Sequence, residues 1–205
     1  MEFHTVLGIT AIFHVTSNIS KIVYFRKGFD KKLAVSLGVP AVIFVIIGSI
    51  LSKYFDARIL TLALSFFLIL ISLFLLLFRS VVIAPTVSNS VLGGIISGFA
   101  AGLLGTGGAI RGLTLAAFSL KTEVFLATSA VIDLGIDASR SLVYYLNGFI
   151  HRSDLYLIAI LVVVSIAGTW IGGFLLKKIS DTQFKKIVLI LILLTGIMTL
   201  IKSFS

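Results

Sequence analysis

Hydrophobic residues along this chain form eight runs separated by short polar stretches. The runs cover approximately residues 5–25, 33–52 and 59–78, a stretch that follows Arg79 and ends at Leu104, and then 109–120, 124–146, 155–176 and 184–201. A helix needs about 20 apolar residues to cross a bilayer. The pattern therefore predicts an all-α polytopic membrane protein, folded as a single transmembrane domain over residues 1–205.

The fifth run differs from the others, because residues 109–120 are short for a full crossing. It follows a stretch rich in glycine, residues 102–108. Closely spaced glycines let the backbone turn without side-chain clashes, so we expect a Gly-rich broken or re-entrant helix here. The third run is apolar on every side and is expected to face lipid.

Two triplets of runs resemble each other, because the first and the sixth run both carry polar residues at positions i, i+4 and i+7. These residues are His14, Asn18 and Lys21 in the first triplet and Asp133, Asp137 and Arg140 in the second, at an offset of 119 residues. The pattern predicts two related repeats, residues 1–78 and 81–205, as in many secondary transporters. Only the second includes a glycine-rich unit. The first is therefore expected to be incomplete, and matching the second would need about 40 more residues upstream.

The relative orientation of the triplets depends on residues 109–120. If this run crosses the membrane, the triplets are inverted and the basic loops 26–32 and 177–186 lie on the same side. If it is re-entrant, the triplets are parallel and these loops lie on opposite sides. The positive-inside rule favours the inverted arrangement.

Composition narrows the possible functions. With 59% hydrophobic and 12% charged residues, the chain is neither an ordinary soluble enzyme nor a disordered protein. Its net charge of +9 comes from short loops, so topology explains it and no nucleic-acid partner is expected. It contains no cysteine and no nucleotide-binding, zinc-protease or serine-hydrolase motif. We therefore predict no cofactor, no metal and no catalytic residue.

The polar residues within the runs are candidates for function, since an intramembrane charge costs about 2.5–3.5 kcal/mol on insertion scales. Asp133, Asp137 and Arg140 share one helical face, which suggests a substrate or proton pathway. The alternative is an Asp–Arg cluster that only ties helices together. The face with His14, Asn18 and Lys21 has the same two interpretations, and Lys21 could also extend to the nearby loop.

The glycine-rich break is a candidate anion site. A helix that starts there would expose backbone N–H groups and a positive dipole end. Gly105, Gly107 and Gly108 would supply those groups, and Arg111 would add a guanidinium suited to an oxyanion. The alternative is a tight turn with small-residue packing, in which Gly94 and Gly98 form a helix–helix contact.

These features resemble the sulfite exporter TauE/SafE family of membrane permeases. The resemblance rests on the glycine-rich stretch 98–108, the Ala-Thr-Ser-Ala opening at 127–130, Gly148-Phe149 and the small residues at 167–168 and 172–173. It implies a cytoplasmic-membrane protein of two homologous halves that transports small, often sulfur-containing anions. The chain departs from the family pattern at Ala109, where the family often has glycine, and in its missing first glycine-rich unit.

We therefore predict a secondary transporter for a small anion, whose substrate-binding residues lie in the glycine-rich break and on the two polar faces. They are Gly105, Gly107, Gly108, Arg111, Arg140, Asp133, Asp137, His14, Asn18 and Lys21. The lipid bilayer is the expected environment, and pairing with a second copy of the chain stays open. Two alternatives remain: an intramembrane enzyme acting on a lipid phosphate, and a non-transporting shortened homologue or assembly subunit.

Overall fold

The computed structural model describes residues 3–51, 54, 56–78, 81–104, 107–146 and 155–203, and within them it contains eight α-helices. They are α1 (Phe3–Tyr24), α2 (Lys31–Leu51), α3 (Ala57–Leu77), α4 (Val87–Leu104), α5 (Gly107–Ala117), α6 (Thr122–Leu146), α7 (Leu155–Leu176) and α8 (Asp181–Lys202). Each hydrophobic run corresponds to one helix, which confirms the predicted fold class.

Polar caps set several helix starts. Asp56 precedes α3 and its carboxylate accepts hydrogen bonds from the first free N–H groups of that helix, at 2.8 and 3.1 Å. Ser180 and Gln183 form a capping box at the start of α8, and Asp30 accepts from Leu33 N at 2.9 Å at the start of α2. Because capping residues lie outside the apolar core of a helix, these helices begin before the hydrophobic runs do.

Four of the described helices, α2, α3, α7 and α8, have the length and composition of a membrane span. Their outer faces expose large apolar side chains such as Ile46, Leu70, Val163 and Met198. Such surfaces suit contact with lipid and not with water. Helices α1 and α6 are comparably long, with 22 and 25 residues, but they carry the polar residues of the two predicted faces.

One end of the bundle gathers the basic loops. Lys177 lies over the ring of Tyr24, with 5.3 Å between Nζ and the ring centroid. The carboxylate of Asp181 accepts hydrogen bonds from both N and Oγ1 of Thr122 at 2.7 Å. We call this the basic end. The loops 26–32 and 177–186 therefore lie on the same side, as the charge pattern favours.

Helices α1 and α6 run antiparallel. The turn that follows α1 lies against the start of α6, because a Cβ added at Gly28 would overlap the backbone of Glu123. Asp30 N also contacts Thr128 Oγ1 at 3.5 Å. The first helices of the two triplets thus cross the bundle in opposite directions.

Helices α4 and α5 form a hairpin, which explains this inversion. The segment before α4 meets the end of α5 through a hydrogen bond from Ile83 N to Ala117 O at 3.0 Å, and Gly93 lies against Thr114. Both ends of the hairpin are therefore at the basic end. With 11 residues, α5 is about 16 Å long and too short to cross a bilayer. The predicted break falls between Leu104 and Gly107.

The packed centre surrounds α5. Leu113 and Leu115 of α5, and Phe118 directly after it, are buried among side chains from α2, α3, α6 and α8. Helix α3, which is expected to face lipid, exposes large apolar side chains such as Phe66 and Leu70 but also has a buried face. Leu64, Leu68 and Leu75 are buried there, and Gly196 of α8 fits against Leu68 and Ile69.

Candidate functional site

The polar faces of α1 and α6 meet at their middle residues. Asn18 Nδ2 donates a hydrogen bond to Asp137 Oδ2 at 2.9 Å, between residues that are 119 positions apart. Lys21 Nζ donates to Asn18 Oδ1 at 3.1 Å. Asn18 and Asp137 are 2% and 6% exposed. The 119-residue offset between the two polar faces is therefore also the sequence separation of two hydrogen-bonded residues.

The hairpin brings a third helix to this contact. Arg111 lies in the second turn of α5, and its Nη2 donates to Asp133 Oδ1 in an ion pair. The other oxygen of Asp133 accepts from Ser129 Oγ at 3.0 Å. Arg111 is only 6% exposed, whereas the side chain of Asp133 keeps 25% exposure. The guanidinium is therefore held inside the bundle by a carboxylate that remains partly accessible.

These side chains form one electrostatic unit, the central polar cluster of Asn18, Lys21, Arg111, Asp133 and Asp137. Asp137 attracts the charges of both Lys21 and Arg111, and Arg111 repels Lys21. Arg111 Nε is buried without a hydrogen-bond partner among the described residues. A buried donor of this kind is costly to leave unpaired, so it is suited to a ligand oxygen.

The start of α5 lies close to this guanidinium. A Cβ added at Gly108 would be 3.7 Å from Arg111 Nη2 and would meet no other atom within 4 Å. The first N–H groups of a helix have no partner within it. Helix α5 therefore begins at Gly107, with Gly108 beside Arg111, while Gly105 lies outside the described residues.

Two predicted residues are not brought into the cluster by the described contacts. His14 lies on α1 one turn before Asn18, but it is exposed, and its ring packs edge-on against Phe13 with centroids 5.5 Å apart. Arg140 lies on α6 three residues after Asp137, and its side chain is outside the described structure.

A cavity of about 340 Å³ opens beside the cluster between α1 and α7. Lys21 and Ser17 of α1 line it together with Ser165 and Thr169 of α7. A Cβ added at Gly168 or Gly172 would meet nothing within 4 Å, so these glycines leave the cavity open. Lys21 is the charged residue in its lining, so the cavity reaches the edge of the central polar cluster.

Sequence reasoning missed Ser129, which holds Asp133. Its position four residues before Asp133 was a usable signal, because residues i and i+4 are neighbours on a helix. The pairing of Arg111 with Asp133 had no such signal, since it depends on how the hairpin packs against α6.

Comparison with known proteins gives one match. The model of the family described as sulfite exporter TauE/SafE matches residues 1–199 of the chain. No curated protein and no solved structure matches it.

Proposed function

The chain belongs to the sulfite exporter TauE/SafE family, and from this premise we propose that it carries a sulfur oxyanion such as sulfite, or a small organosulfonate, across the cytoplasmic membrane. Family membership and the apolar helices make it a multi-pass membrane permease. The observation that supports anion binding at a defined place is Arg111, a buried guanidinium with an unpaired Nε at the start of α5.

The charges around Arg111 suit a small anion. Lys21 and Arg111 bring two positive charges to the central polar cluster, and Asp133 and Asp137 bring two negative ones. In this proposal Arg140 of α6 adds a third positive charge. A monovalent anion would balance the excess. The guanidinium offers Nε and Nη donors in a fixed plane that matches two oxygens of an oxyanion, and the N–H groups at the start of α5 add a positive dipole end.

In this proposal each polar residue has a role. Arg111 and the backbone at Gly105, Gly107 and Gly108 bind the anion, and Arg140 adds positive charge. Asp133 positions Arg111, and Asp137 and Asn18 hold α6 against α1. The cavity beside Lys21 gives the anion a route to the cluster, with His14 further along the same helix.

Transport would follow from the inverted arrangement of two repeats, residues 1–78 and 81–205. Helices α1 and α6 are antiparallel and meet through Asn18 and Asp137, which hold the same position in each triplet. A pseudo-twofold axis would pass between these side chains. Rocking of one triplet against the other would expose the cluster to each side in turn, the usual mechanism of inverted-repeat transporters.

The test is flux into sealed proteoliposomes with labelled sulfite, sulfate and a small sulfonate. Arg111→Gln combined with Asp133→Asn removes the ion pair without leaving one charge unpaired, and we expect it to abolish flux. Arg140→Ala should also abolish flux and leave membrane insertion intact. Arg58→Gln, an exposed arginine at the start of α3, is the matched control and should keep wild-type flux.

Two results would contradict the proposal. Undiminished flux in the Arg111→Gln/Asp133→Asn variant would show that the transported anion does not bind at this site. Absence of flux for all three anions in a correctly folded and inserted wild-type protein would exclude the proposed substrates. Product formation from a lipid phosphate in detergent, without a sealed compartment, would instead indicate an enzyme.

A further inference from the structure

We propose that the groove between α2 and α4 at the basic end binds an anionic phospholipid, with its phosphate on Lys31 and Lys32 and an acyl chain along the valines below them. The groove has a volume of about 690 Å³. It lies on the outer surface, away from the central polar cluster. This inference is independent of the proposed transport activity.

The shape of the groove follows from the sequence of α4. Gly94 and Gly98 let α4 approach so closely that an added Cβ would overlap the backbone of Leu37 and Ala41 in α2. Val87 and Val91 lie seven and three residues before Gly94, respectively, on the same side of α4. Because valine is larger than glycine, the two helices separate toward the basic end and a groove opens between them.

The wall of the groove is apolar and uncovered. Val35 and Val39 of α2 are both 52% exposed and Val87 of α4 is 48% exposed. Residues 31, 35 and 39 follow one another at intervals of four, so they form a stripe along one face of α2. This stripe runs about 12 Å from the lysines toward the middle of the membrane. An extended hydrocarbon chain fits such a surface.

The lysines at the top of the stripe lack a local counter-charge on their helix. Lys31 and Lys32 occupy the first turn of α2, and this turn has no acidic residue. Cations at a helix N-terminus add to the positive end of its dipole and are unfavourable there. The adjacent Asp30 already accepts from Leu33 N at 2.9 Å. A phosphate bound at this place would offset both lysines and the dipole.

The combination of two cations and an apolar stripe selects the ligand class. A free phosphate would satisfy the lysines and leave the valines uncovered, whereas a neutral lipid would cover the valines and leave the lysines unpaired. An anionic phospholipid does both. Lysine clusters at the ends of membrane helices attract such lipids at the cytoplasmic surface.

The test is native mass spectrometry of the purified full-length protein in detergent, after exchange with phosphatidylglycerol or phosphatidylcholine. We expect wild-type protein to retain one phosphatidylglycerol and to lose phosphatidylcholine. Lys31→Gln with Lys32→Gln should weaken phosphatidylglycerol binding at least tenfold. The matched control is Lys121→Gln with Lys186→Gln, which removes the same charge from exposed positions at the same end, outside the groove, and should bind as wild type does.

A second variant tests the contribution of the apolar groove separately from that of the lysine charges. Val39→Trp fills the apolar stripe and keeps both lysines, so it should also weaken phosphatidylglycerol binding. The proposal is overturned if Val39→Trp binds like wild type, since the acyl chain would then lie elsewhere. Equal losses in the two lysine variants would also overturn it, because they would indicate general attraction to the basic end. Inorganic phosphate that displaces phosphatidylglycerol completely at low millimolar concentration would contradict the role of the groove.

Discussion

Arg111 shows how one side chain can constrain both stability and function. Its guanidinium is buried, paired with Asp133 through Nη2 and unpaired at Nε. If the pair served stability alone, replacing both partners with neutral residues would cost little, because removal of a buried pair is often tolerated. If Arg111 binds the anion, the same double substitution removes transport. Stability and flux therefore report on different roles of this residue.

A double-mutant cycle can measure this distinction. Asp133→Asn alone should destabilise the protein by about 2–4 kcal/mol, slightly below the range for a fully buried pair because Asp133 is partly exposed. Arg111→Gln with Asp133→Asn should recover most of that loss. The measurement is thermal unfolding in detergent for the wild type, both single variants and the double variant. A double variant that is no more stable than Asp133→Asn would contradict the assignment of the pair.

The sequence predicted which residues lie in the central polar cluster better than it predicted which of their side chains bond to one another. Spacing alone placed Asp133 and Asp137 on one face of α6 and Asn18 and Lys21 on one face of α1, because helical periodicity is local. The bond between Asn18 and Asp137 depends on two helices that meet 119 positions apart. Periodicity carries no information about such a contact. His14 was grouped with Asn18 by the same periodicity, yet it is exposed.

At the scale of helices, the contact between α2 and α4 depends on glycine. Gly94 and Gly98 lie directly on the backbone of α2. Association of membrane helices depends on close packing and not on a hydrophobic driving force between them. The sequence suggested Gly94 and Gly98 as a helix–helix contact, and the structure identifies α2 as the partner.

The same substitution at two glycines should therefore have opposite effects. Gly98→Ala would place a Cβ against the backbone of Ala41 and should lower the melting temperature. Gly168→Ala on α7 meets open space, so it should stabilise the helix by up to about 1 kcal/mol through the better helix propensity of alanine. Thermal unfolding in detergent compares the two. An unchanged melting temperature in Gly98→Ala would show that α4 does not pack closely on α2.

The sequence predicted where helices form along the chain, but it did not predict the directions in which α4 and α5 cross the bundle. The hydrophobic runs gave all eight helices because each span must satisfy its own backbone hydrogen bonds in lipid. From the sequence alone, residues 109–120 could either cross the membrane or form a re-entrant run. The structure adds a third arrangement, in which α4 and α5 enter and leave together at the basic end. The contact between Gly93 and Thr114 that closes this hairpin has no signature in hydropathy.

For the whole molecule, charge determines the orientation in the membrane. The described lysines and arginines at the basic end are Arg26, Lys27, Lys31, Lys32, Lys121, Lys177, Lys178, Lys185 and Lys186. At the opposite end the described structure includes Arg58 and Lys202. Short loops rich in lysine and arginine stay in the cytoplasm, so we predict that the basic end is cytoplasmic and that the α4–α5 hairpin enters from that side.

Because the chain contains no cysteine, single introduced cysteines can test this orientation without background. Lys186→Cys marks the basic end, and Tyr54→Cys marks the opposite end, where Tyr54 is 71% exposed. In intact cells a membrane-impermeant maleimide should label Tyr54→Cys and leave Lys186→Cys unlabelled until the membrane is permeabilised. Labelling of both without permeabilisation would mean that the chain inserts in two orientations. The reverse pattern would place the basic end outside, so the hairpin and any phospholipid in the α2–α4 groove would face the other leaflet.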